Sequence, residues 1–120
     1  MAIVNQVEKR VKIDRESVVK FQLLTHCFLA NIPLSDAELK CLAQLAIEGE
    51  QELNIFCNRV HGEGVFKSPQ TVRNVINKAE KNNLVVKEGK SKKKIYINSE
   101  LKIQIDGTIL LDYKILSVAS

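Results

Sequence analysis

The stretch EGVFKSPQTVRNVINKAEKNNLVVKEG, residues 63–89, carries a helix start, a helix, a helix stop and the beginning of a strand in direct succession. Ser68 followed by Pro69 is a strong start, because serine caps free amides while proline occupies the first turn, where its missing N–H costs nothing. Val72, Val75, Ile76 and Ala79 then fall at i, i+3, i+4 and i+7, which is one apolar helical face. The opposite face carries Gln70, Asn74, Asn77 and Lys81, with Arg73 at its side. Asn82 and Asn83 tolerate the left-handed turn that ends a helix, and the chain passes through Leu84 into Val85-Val86. The polar face has a chemical use. Asn and Gln can bond bidentately to adenine in the major groove of DNA and Arg or Lys to guanine, each good pair discriminating by roughly 1–3 kcal/mol.

Downstream, VVKEGKSKKKIYIN (residues 85–98) sets two short strand-like runs around a lysine-rich loop, a hairpin whose tip has nothing in its own sequence to neutralise it. From Lys67 to Lys94 the cations are Lys67, Arg73, Lys78, Lys81, Lys87, Lys90, Lys92, Lys93 and Lys94, against Glu80 and Glu88, a local charge of +7. The whole chain carries +4, so the rest sums to −3. A strongly basic segment on a mildly acidic body suggests a face for a polyanion.

Upstream, the alternation from Val7 to Ile13 predicts a strand, and Asp14 stands where a helix N-cap would. Val18, Val19, Leu23 and Cys27, with Phe21, Leu24 and Phe28 beside them, give a broad apolar helical face ended by Asn31 and Pro33. Ser35-Asp36-Ala37-Glu38 is a capping box, followed by Leu39, Leu42, Ala43, Ala46 and Ile47 at helical spacing and a stop at Gly49. A third helix is expected from about Gln51 to Val60. At the far end, Leu101, Ile103 and Ile105 alternate with polar residues, Asp106-Gly107 is a two-residue hairpin signal, and Thr108 to Leu116 is strand-like. Because Ile109-Leu110-Leu111 is apolar on both faces, this tail is expected to pack on the N-terminal helix or to add strands to a neighbouring copy.

The short helix from Ser35, the glycine-containing turn, the helix SPQTVRNVINKAEKNNLV and the basic hairpin together resemble the winged helix-turn-helix family, in particular MarR-like and phage or plasmid members, over about Ser35 to Asn98. The resemblance implies an α+β fold: three to four helices plus a β-hairpin wing, with a C-terminal β-hairpin or arm. It divides the chain into residues 1–34 (strand and helix packing on the core), 35–98 (winged helix-turn-helix) and 99–120 (β-arm for oligomerisation). In the family's terms Ser68 to Asn83 is the recognition helix and Lys87 to Lys94 the wing, which lies along phosphates or the adjacent minor groove. The connection from Val60 to Lys67 is longer than the tight turn of simple helix-turn-helix proteins.

The function expected is sequence-selective binding of double-stranded DNA by a small transcriptional or replication regulator of bacterial or phage type. Base contacts fall to Gln70, Thr71, Arg73, Asn74 and Asn77, and phosphate contacts to Lys67, Ser68, Lys78, Lys81, Lys87, Lys90, Lys92, Lys93 and Lys94. A homodimer formed through the C-terminal arm would set two recognition helices one DNA turn apart, ~34–36 Å. The alternative is a protein-docking module, such as a structural subunit of a phage particle or other assembly, which uses the same fold without DNA. The expected location is cytoplasmic and DNA-associated, or the virion for a particle subunit, since residues 1–14 have no signal-peptide core. No run of 18 apolar residues calls for a membrane span.

Other chemistries find little support in the pattern. Cys27, Cys41 and Cys57 are odd in number and widely spaced, and are expected as buried free thiols. His26 and His61 have no partner at metal-ligand spacing, His26 and Cys27 point about 100° apart on a helix, and no phosphate-binding glycine motif occurs. Neither a metal, a cofactor nor an enzymatic activity is expected.

Overall fold

The computed structural model describes residues 2–11, 14–107 and 109–118. In chain order these form β1 (Ala2–Val11), α1 (Arg15–Ala30), α2 (Asp36–Glu48), β2 (Gln51–Glu52), α3 (Leu53–His61), α4 (Pro69–Lys81), β3 (Val85–Glu88), β4 (Lys94–Ile97) and β5 (Ile109–Val118). The fold is α+β: four helices, a small three-stranded antiparallel sheet in the order β2-β4-β3, and a separate two-stranded ribbon of β1 with β5.

Local chemistry sets the helix ends. Asp14 accepts from the Ser17 amide at 2.8 Å to start α1, and Asn31, with φ 59°, closes it. At α2 the capping box is complete: Glu38 N donates to Ser35 Oγ at 3.2 Å and Ser35 N to Glu38 Oε1 at 2.8 Å. Ser68 caps α4 by accepting from Thr71 N at 3.2 Å, with Pro69 in the first turn. Asn83, at φ 61°, makes the left-handed exit towards β3.

The apolar faces of all four helices meet in one core that also takes Leu84, Val85 and Ile95 from the sheet region. Phe56, Leu23, Leu42, Leu45 and Ile76 are its largest fully buried side chains. Cys27, Cys41 and Cys57 are buried free thiols within it, and burial pushes Cys41 up to about 12. Not all of the apolar face expected on α1 is used: Val18, Val19, Leu23 and Cys27 are buried, whereas Leu24 is half exposed and Phe28 stands 82% exposed.

Three sequence expectations need correction. The strand expected over Val7–Ile13 runs Ala2–Val11, because its register is set by pairing with β5 from Ala2↔Val118 to Val11↔Ile109; Ile13 lies outside the described residues. Helix α3 does not begin at Gln51. Gln51 and Glu52 instead pair with Ile95 and Lys94 as β2, and the Glu52 carboxylate caps the helix by accepting from the Asn54 and Ile55 amides at 3.1 and 2.9 Å. The C-terminal hairpin turning at Asp106-Gly107 does not form. Ser99–Leu101 is a 3-10 turn, residues 102–107 are irregular, and β5 takes β1 as its partner; Thr108 lies outside the described residues.

The physical reason for the third correction is visible at Gln104, whose backbone N–H and C=O are both bonded by the side chain of Gln22 on α1, at 2.8 and 2.6 Å. A residue whose main-chain groups are both engaged by a side chain has none left for a strand ladder. Arg15 binds Asp106 at 2.8 Å, and Leu101 and Ile103 pack against the core, so this part of the tail straps α1 to the body, as the sequence allowed.

Candidate nucleic-acid interface

Helix α4 turns Val72, Val75, Ile76 and Ala79 into the core and leaves Gln70, Asn74 and Lys81 exposed, with Arg73 and Asn77 half-buried at the margin. The amphipathic spacing alone dictates this split. On the outer face the polar side chains are already joined. Arg73 donates from Nη1 to Gln70 Oε1 at 2.6 Å, and Gln70 Nε2 donates to Asn74 Oδ1 at 3.0 Å. The second Arg73 nitrogen, Nη2, donates to Asn54 Oδ1 on α3 at 2.8 Å. Arg73, Gln70 and Asn74 thus form one hydrogen-bonded row with a fixed end. Thr71 is less available, since its hydroxyl lies 3.1 Å from Ser68 Oγ within the cap.

Asn54 is a residue that the sequence reading missed. Only its place beside the Glu52 cap at the start of α3 brings it to Arg73, and no linear pattern encodes that approach. The same helix start touches the hairpin: Leu53 N donates to the Lys93 carbonyl at 2.7 Å. Glu52 sits among these groups, close enough to Lys93 and Arg73 to feel both charges. The Ile55 and Asn54 amides hold it below the usual carboxylate range, helped by those two cations.

Apart from Arg73, which is held by Gln70 and Asn54, the nine cations divide into two kinds. Lys78 is 3.4 Å from Glu38, Lys94 is 3.8 Å from Glu50, and Lys87, its side chain only 12% exposed, donates to Asn77 Oδ1 and lies 3.8 Å from Glu80. Lys87 and Lys94 are strand residues, so the turn proper is shorter than the lysine run that contains it. Lys67, Lys81, Lys90, Lys92 and Lys93 are exposed and, among the described residues, have no carboxylate within ion-pair distance. Gly89 (φ 88°) enters the tip, and Ser91 and Lys92 follow at φ 63° and 53°. Two successive left-handed non-glycine residues hold this turn in a sparsely populated backbone conformation.

The hairpin and α4 lie side by side. The Lys87–Asn77 bond joins β3 to the C-terminal half of α4, while Lys93, Leu53, Asn54 and Arg73 connect the tip's base to its N-terminal half through α3. The surface carries amide and cationic groups from both elements, including five exposed lysines with no ion-pair partner among the described residues. Among the described residues no group of three or more His, Cys, Asp or Glu could hold a metal, and no helix is long and apolar enough to cross a membrane.

Acid is expected to loosen the helix starts of α1 and α2. Burial would raise Glu38, but the Ser35 amide, the Lys78 charge and the Ser35 hydroxyl outweigh it and hold the carboxyl low; Asp14 is held low by the Ser17 amide and hydroxyl. For a carboxyl depressed by folding, the stabilisation is complete above its unfolded value, about 4, and disappears as pH falls through the lower folded value. The urea midpoint should therefore stay level from neutral pH to about 5 and fall below about 4, less steeply in Glu38→Gln. A midpoint unchanged to pH ~3 would show that these caps contribute nothing.

No protein-family model, curated protein or solved structure matches this chain.

Proposed function

We propose that the chain is a winged helix-turn-helix protein that binds double-stranded DNA, with α4 in the major groove and the β3–β4 hairpin as a wing on the phosphates. The order helix–strand–helix–helix–hairpin, α2 to β4, and the sheet order β2-β4-β3 are compatible with that family. The observation that carries the reading is the adjacency of two unlike surfaces: a Gln70–Arg73–Asn74 row, exposed at Gln70 and Asn74, suited to base edges, and a hairpin tip whose Lys90, Lys92 and Lys93 have no carboxylate within ion-pair distance among the described residues. Gln70, Arg73 and Asn74 read bases, with Asn77 and Thr71 at the margins. Lys67, Lys81 and the tip lysines hold phosphates, and Lys78, Lys87 and Lys94 keep the scaffold in place through their internal partners. Asn54 positions Arg73. A small transcriptional or replication regulator is the class of protein this describes.

The test is a mobility-shift titration against a duplex pool, with selection for preferred sequences. Asn74→Ala should flatten the selected preference at one or two positions, equivalent to roughly 1–3 kcal/mol of lost discrimination, while leaving mixed-sequence affinity nearly unchanged. Lys92→Ala should weaken every duplex alike. Failure of the native chain to retard any duplex at low salt would reject the reading.

A second reading, a docking module of a phage particle or other assembly, has one observation in its favour: Phe28 and Leu29 at the end of α1 stand 82% and 78% exposed. Binding that ignores salt would favour it.

A further inference from the structure

Among the described residues the ribbon of β1 and β5 packs strand on strand, with no helix packed on it to a comparable extent. A two-stranded sheet alone is marginal in water, and three or more strands or a covering layer are needed for independent stability. Each strand has one paired edge and one open edge, and an open edge ten residues long is a template for another chain.

The register also leaves an electrostatic misfit: Glu8 stands directly opposite Asp112. Like charges at opposed positions destabilise a sheet. The position directly across from Asp112 therefore offers no opposite charge, the nearest cation on β1 being Arg10 on the diagonal. The open side can supply one directly opposed.

The sequence of β5 is self-complementary about Tyr113. In ILLDYKILS, residues 109–117, an antiparallel pairing of β5 with β5 of a second copy, centred on Tyr113, sets Asp112 against Lys114, Leu111 against Ile115 and Leu110 against Leu116. Two-fold symmetry makes every such pair occur twice. Sliding by two residues, the smallest step that keeps like faces aligned, sets Asp112 against Asp112 or Lys114 against Lys114. Strand β1 has no equivalent match, since the register that opposes Glu8 to Arg10 places Lys9 against itself.

We infer that a second copy of this chain docks on the open edge of β5, antiparallel and centred on Tyr113, to give a four-stranded sheet in the order β1-β5-β5-β1. The partner is identified by this match of charge and apolar residues, and the dimer does not depend on whether α4 binds DNA. The arm expected from the sequence to be C-terminal alone is built from both ends of the chain.

Sedimentation across a concentration series tests it on the full chain, with Asp112→Lys, Lys114→Asp and the double exchange. The native chain should dimerise. Each single reversal should weaken the dimer about tenfold or more, because it turns two symmetry-related attractive pairs repulsive, and the double exchange should restore it. Asp112→Lys places a lysine opposite Glu8 in its own ribbon, an opposite-charge pair, so its effect cannot be assigned to loss of the ribbon. Tyr113→Cys should cross-link readily under oxidation, the native thiols Cys27, Cys41 and Cys57 being buried. A chain monomeric at every concentration, a dimer indifferent to the single reversals, or a double exchange that fails to recover would each overturn the inference. Duplex binding, measured separately on the same variants, keeps this outcome distinct from that of the DNA reading.

Discussion

Raising salt from about 50 to about 200 mM is expected to weaken duplex binding by roughly 10²–10³-fold. The figure follows from counting only cations without an internal partner: Lys67, Lys81, Lys90, Lys92 and Lys93. Each phosphate neutralised releases condensed counterions and contributes about −0.9 to the slope of log affinity against log salt, so five give about −4.5. Replacing Lys90, Lys92 and Lys93 by Gln should reduce the slope to about −1.8, and the loss over the same range to about tenfold. Glutamine removes the charge while keeping an unbranched polar side chain, one atom shorter than lysine. Lys94 is left in place because it faces Glu50. A slope that stays near zero in the native chain would remove DNA from consideration, whatever the fold.

The largest expected effect on stability comes from Phe56→Ala. Phe56 is fully buried and heads the interior side chains by size. It lies on α3, between the capped start that holds Asn54 against Arg73 and the turn into α4. Its truncation removes ring burial and leaves a cavity, at a cost of about 3–5 kcal/mol. Domains are stable by only about 5–15 kcal/mol, so about a fifth of the total or more is at stake. Urea unfolding should show a lower midpoint with an unchanged slope. A loss below ~1 kcal/mol would mean that the packing around α3 differs from that described.

The features legible in the sequence are those whose causes are local. Asp14, the Ser35–Glu38 box and Ser68-Pro69 bond their own first turns, and the helices start where those residues say. The polar face of α4 was legible for the same reason, being a matter of helical period. What the sequence hid depends on partners far along the chain. Gln51-Glu52 is a strand only because Ile95 and Lys94 lie beside it, and Asp106-Gly107 fails as a hairpin because Gln22, on a different helix, has engaged the backbone of Gln104. The lysines show the same limit. Nothing in the run from Lys87 to Lys94 distinguishes a lysine held by Asn77 or Glu50 from one without such a partner, yet that distinction sets how much uncompensated charge the surface presents.

The pairing of Ala2–Val11 with Ile109–Val118 also has a consequence for biosynthesis. Made before α1 to α4, β1 must remain without its partner until β5 follows them, and the helical body can assemble before the ribbon closes. Closing so long a loop is entropically costly when the intervening chain is floppy and much less so once that chain is compact. The strand β1 is therefore expected to stay unpaired while the helical body folds.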